Sequence, residues 1–95
     1  MLRDKPRIIK VTLPALSSAD TVTILLDDLK ISPAEQAILM VFALATGNFS
    51  VAKSKVSGGN YKLVITASGS VSASTVVPLL CMAGGVDAIS PAKDA

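Results

Sequence analysis

Asp20, Asp27 and Asp28 are the carboxylates grouped most closely along this 95-residue chain, and grouped carboxylates are what a calcium site or an acid–base pair requires. Their spacing points elsewhere. Asp20 and Asp27 fall at the two ends of one predicted strand, too far apart to share a site, so all three read as solvated turn residues. Ser70, Ser72 and Ser74 offer hydroxyls, but a serine needs a base to become a nucleophile, and the chain contains no histidine. That absence removes Ser–His and Cys–His pairs and every imidazole-containing zinc site. Cys81 is the single cysteine, which excludes an intrachain disulfide and a thiolate metal cluster; it reads as a buried thiol. None of the six glycines has the spacing of a phosphate-binding loop. Asn48-Phe49-Ser50 matches a glycosylation acceptor, which has meaning only in a secreted protein. No catalytic, cofactor-binding or metal-ligating residue is therefore expected, and the expectation is a protein that is not an enzyme and carries no cofactor.

The basic residues form the remaining pattern. Arg3, Lys5, Arg7 and Lys10 crowd the N-terminal end, Lys53, Lys55 and Lys62 crowd one later stretch, and no carboxylate occurs from Gln36 to Val86. One reading makes Arg3, Lys5, Arg7, Lys53, Lys55 and Lys62 contacts for nucleic acid or another anion, by charge alone. The other makes the lysines solubilising groups along a strand edge, and it is preferred because Tyr61 is the one aromatic near them that could stack on a base.

The lysines of the second group sit on the clearest structural signal, Phe49 to Ala67, which reads as a β-hairpin. Tyr61, Leu63, Ile65 and Ala67 occupy alternate positions, and Ser57-Gly58-Gly59-Asn60 supplies the turn. A two-residue Gly-Gly turn would set Lys55 opposite Lys62. A three-residue loop, Ser57 to Gly59, avoids this and pairs Val51 with Ile65, Phe49 with Ala67 and Ser54 with Lys62.

Before the hairpin, residues 1–6 read as a basic arm. Arg7 to Leu13 reads as a strand with Ile9, Val11 and Leu13 inward, and Thr21 to Asp27 as a second with Val22, Ile24 and Leu26 inward, the two pairing antiparallel. Ser32-Pro33-Ala34-Glu35 has the form of a capping box with Pro at the first helical position, and Gly47 stands where a left-handed cap would end a helix. The prediction is an apolar helix over Pro33 to Thr46, with a strand over Leu39 to Ala45 as the competing reading of the same run. After the hairpin, Val71 to Met82 reads as a long strand, bulged or at an edge near Pro78. Residues 87–95 read as a tail beyond a single domain spanning 7–86.

The expected fold is thus α+β, mostly antiparallel sheet with one apolar helix; an all-β sandwich is the alternative. Composition bears on what such a domain does. Apolar residues make up 51% of the chain and charged residues 17%, where about 25% is ordinary, while aromatics are only 3%. Too little charge is available to cover the apolar surface, which points to a homo-oligomer or larger assembly, with Leu39, Met40, Phe42 and Leu44 as the expected interface. The functional expectation is a structural or assembly subunit, for example a virion component such as a capsid decoration or tail protein; a small nucleic-acid or anion binder using the hairpin is the alternative. The longest apolar run, Ala37 to Ala45, is too short to cross a bilayer, and no signal-peptide pattern follows the basic N-terminus, so the expected location is the cytoplasm or a virion.

Overall fold

The computed structural model describes residues 7–38, 40–57, 60–81 and 86–94. They form seven strands: β1 (Arg7–Leu13), β2 (Thr21–Leu25), β3 (Val41–Ala43), β4 (Phe49–Ser57), β5 (Asn60–Ala67), β6 (Thr75–Cys81) and β7 (Ala88–Ile89). A 3-10 turn spans Leu26–Leu29, and a single helical turn, α1, spans Pro33–Gln36. Strand order is β3-β6-β1-β7 in one open sheet and β2-β5-β4 in the other. The chain is mostly β with a minor helix.

Each sheet turns one face to a common core. Ile9, Val11 and Leu13 of β1 and Val77, Leu79 and Cys81 of β6 are buried against Val22 and Ile24 of β2 and Leu63, Ile65 and Ala67 of β5. These are alternate positions on each strand, as the alternation requires. Leu26, Leu29 and Ile31 are buried in the same cluster after β2, and Leu16 and Val71 join it through a reciprocal backbone bridge of 2.9 and 2.8 Å.

The hairpin register matches expectation: Phe49 faces Ala67, Val51 faces Ile65 and Ser54 faces Lys62. The ladder then shifts by one residue between Lys55 and Ser57, so that Ser57 faces Asn60. A bulge at Val56 reconciles the register of a three-residue loop with a tighter tip. Gly58 and Gly59 lie outside the described residues.

Two strand expectations are corrected. Thr21 to Asp27 is strand only as far as Leu25, and β1 and β2 do not pair. Instead, β1 lies between β6 and β7 while β2 pairs with β5 in the other sheet. Both patterns of inward residues are right, but alternation says which face is buried and nothing about which strand lies alongside.

The apolar helix over 33–46 is also corrected. Ser32 and Pro33 do start a helix, and the Ser32 hydroxyl lies 3.1 Å from Glu35 Oε1. The helix ends after one turn: Ile38 N donates to Glu35 O (3.2 Å) rather than to Ala34 O, and beyond it Gln36 O and Ala37 O accept Lys53 Nζ (2.8 and 3.3 Å). The chain then adds Val41–Ala43 to the edge of β6, with Phe42 facing Leu80. Gly47 caps no helix. It lies in a bend before β4, where a Cβ would stand 2.6 Å from the Phe49 ring.

β6 begins at Thr75, and Val71 contributes only the bridge to Leu16. Pro78 sits inside the sheet, but where β3 runs out: Leu44 N donates to Pro78 O (2.8 Å), and the return bond is the one proline cannot make. The stretch predicted as a tail enters the fold, with β7 pairing parallel to β1 and Asp94 bonded to β2.

Candidate functional site

The three aspartates are held in three separate tasks. Asp20 Oδ2 accepts Ser17 N (2.8 Å), Asp27 Oδ1 accepts Gln36 Nε2 (2.6 Å), and Asp28 borders a small cleft with Thr23, Ile24, Ile89, Ser90 and Pro91. That cleft, about 180 Å³, is well below the range of ligand pockets. Among the described residues no group of three or more His, Cys, Asp or Glu is placed to hold a metal ion. Ser70, Ser72 and Ser74 are exposed; the carbonyls of Ser70 and Ser72 accept Asn48 Nδ2 and Thr75 Oγ1.

Lys53, Lys55 and Lys62 do not form one patch. In the observed register Lys53 faces Leu63 on the core side, whereas Lys62 faces Ser54 on the opposite side of the sheet. Lys53 lies at the margin of the core with Nζ 4.8 Å from the centre of the Tyr61 ring, in addition to its bonds to the two carbonyls that end α1. It serves the fold. Lys55 is exposed. Arg3 and Lys5 lie outside the described residues, and Arg7 is placed by its backbone pairing with Cys81.

Gln36 stands at the centre of this region and is fully buried. Its Nε2 donates to Asp27 Oδ1 (2.6 Å) and Ile31 O (2.8 Å), and its Oε1 accepts Tyr61 N (2.7 Å). β2 leaves the sheet after Leu25, opposite Lys62, so Tyr61 N has lost its strand partner on that side and the Gln36 amide replaces it. The network is structural.

The feature that the fold leaves uncovered is the outer face of the four-stranded sheet. Alternate residues there are Phe42 and Leu44 at one edge, Val76, Pro78 and Leu80 on β6, and Ile8, Lys10 and Thr12 on β1, with Phe42, Leu80 and Ile8 in one row across the strands. Ile8 is 52% exposed, Phe42 48%, Leu44 50% and Val76 48%, and Met40, just before β3, is 58% exposed. These side chains leave on the order of 500 Å² of apolar surface, at the upper end for a soluble monomer. Of the expected interface residues, Met40, Phe42 and Leu44 belong to this region; Leu39 lies outside the described residues. The sequence reading missed Ile8, Val76 and Leu80. The available signal was β6 itself, where Val76, Val77, Leu79 and Leu80 are apolar without alternation, as in a strand covered on both faces.

The opposite outer face, on the three-stranded sheet, carries the C-terminal segment. Asp94 accepts hydrogen bonds from Thr23 Oγ1 (2.6 Å), Thr21 Oγ1 (2.8 Å) and Thr23 N (3.2 Å). The hydroxyls of Thr23 and then Thr21 hold its carboxyl below the usual carboxylate range, against the smaller opposing effect of burial. Among the described residues no helix is long and apolar enough to cross a membrane. No protein-family model, curated protein or solved structure matches the chain, so its function is read from its own residues and their geometry.

Proposed function

We propose that the chain is a non-enzymatic structural subunit that associates with copies of itself through the outer face of its four-stranded sheet. The observation that carries this reading is the continuity of the face: Phe42, Leu44, Val76, Leu80 and Ile8 are neighbours on adjacent strands, with Lys10 the one charged side chain among them. Two such faces in contact bury about 1,000 Å², the lower bound for a specific interface. A second copy is the occupant that supplies a matching surface of the same size and low charge. A face-to-face pair of this kind closes as a dimer, which would serve as the building unit of a larger assembly such as the decoration or tail component of a virion.

The test is solution mass by light scattering on a sizing column at two salt concentrations, with absorbance read at two wavelengths. A defined oligomer that resists salt and carries no nucleic acid is expected, and Phe42→Asp with Leu44→Asp should return it to the mass of one chain. A wild-type monomer would overturn the proposal.

A further inference from the structure

The two open sheets end on four strands, β3, β7, β2 and β4, and the edge of β2 is covered by the chain itself. Asp94 N donates to Thr21 O (2.9 Å) while Thr23 N donates to Asp94 Oδ1, so both residues turn backbone groups away from β5 and toward the C-terminal segment. Beneath that cover lies Thr21-Val22-Thr23-Ile24-Leu25, five residues of mainly β-branched type without a charge. A strand of this kind with a bare edge is a template for pairing.

We propose that residues 90–94 guard this edge, and that β2 pairs antiparallel with β2 of a second copy when the guard is lifted. A two-fold axis at Thr23 would set Thr23 against Thr23, Val22 against Ile24 and Thr21 against Leu25, and would use the same outward groups, Thr21 O and Thr23 N, that Asp94 now occupies. Core-facing residues meet core-facing residues in that register, and no like charges are opposed. The charged groups around the guard are Lys62 on β5, whose charge favours the Asp94 carboxylate, Asp28 at the cleft shared with Ser90 and Pro91, and Lys93, which lies 3.9 Å from Asp20. The attachment is concentrated at Asp94, since the Lys93–Asp20 pair is long, at 3.9 Å, with its lysine in solvent, and contributes little. This surface is separate from the apolar face of the other sheet.

The experiment uses the full chain carrying Phe42→Asp and Leu44→Asp, so that the apolar face makes no contribution, with and without Asp94→Ala. Asp94→Ala should speed hydrogen exchange at the Thr23 amide by about tenfold or more in dilute solution. It should also produce a concentration-dependent dimer in which that amide is protected again. Adding Thr23→Lys, which places two lysines face to face at the proposed axis, should abolish the dimer. The proposal is overturned if Thr23 protection is unchanged by Asp94→Ala, if the freed chain stays monomeric, or if dimers persist with Thr23→Lys. Failure in these chains leaves the wild-type mass, which tests the apolar face, as a separate result.

Discussion

On the three-stranded sheet the outward positions include Thr21, Thr23, Ser50, Ser54, Lys62 and Thr66, whereas on the four-stranded sheet they include Ile8, Phe42, Val76, Pro78 and Leu80. Both sheets place alternate apolar residues in the same core, so the inner faces do not distinguish them. The outer faces do. One is rich in hydroxyls, two of which donate to Asp94 of the same chain; the other is apolar, with Ile8, Phe42, Leu44 and Val76 about half exposed. Burial in one core therefore explains only half of each strand's pattern, and the second face of the four-stranded sheet is left apolar and exposed.

The largest expected effect compares those faces directly. Phe42→Asp with Leu44→Asp should weaken self-association by about 100-fold or more, whereas Ser54→Asp, outward on the three-stranded sheet and away from β2, should leave the mass unchanged. Equal disruption by both, measured by light scattering across a dilution series, would erase the distinction. Next in size, Gln36→Ala strips Tyr61 N of its acceptor and leaves Asp27 without its Gln36 partner; it should cost about 2–3 kcal/mol in denaturant unfolding. Because this network lies within the fold, the oligomer interface of the folded fraction should be intact.

A smaller effect separates the lysines. Lys53→Met keeps the apolar stem but removes the donor to the two carbonyls that end α1, and should cost about 1 kcal/mol. Lys55→Ala should stay within about 0.5 kcal/mol of wild type. Equal values would show that Lys53 has no structural role beyond that of its neighbour.

The least costly perturbation is acid. The Asp94 carboxyl is held below its usual value of 3.8, so the folded state binds this proton less readily than the unfolded chain does. The attachment of residues 90–94 is therefore complete above pH 3.8 and is lost as pH falls through the lowered folded value. Hydrogen exchange at Thr23 should follow that loss, and Asp94→Asn should remove its pH dependence.

The hairpin was legible in its pairs from Phe49–Ala67 to Ser54–Lys62, because two alternating runs joined by a Gly-containing turn constrain one another locally, but not at its tip, where the register shifts and Ser57 pairs with Asn60. The same register, followed one step further, places Lys53 and Lys62 on opposite sides, and so divides a basic group that looks continuous along the chain. The stretch 33–46 was not legible. Ser32 and Pro33 do start a helix, without the side-chain cap bond of a capping box, but Gly47 ends none; the carbonyls just past the single turn are taken by Lys53, from a strand 16 residues away in sequence. Met40, Phe42 and Leu44, expected on a helix, are exposed on or beside an edge strand instead.

By itself the sequence determined which positions of β1, β2 and β5 face a core, that the chain lacks histidine-based and thiol-cluster chemistry, and that it has few charges for its share of apolar residues. Those properties follow from residue type and from periods of two, which each segment carries alone. The tertiary structure decided that β1 pairs with β6 rather than β2, that Gln36 is buried, that 41–43 is an edge strand, and that residues 88–94 bind along β1 and β2. Each of these depends on which backbone and side-chain groups remain unpaired after the other elements have packed.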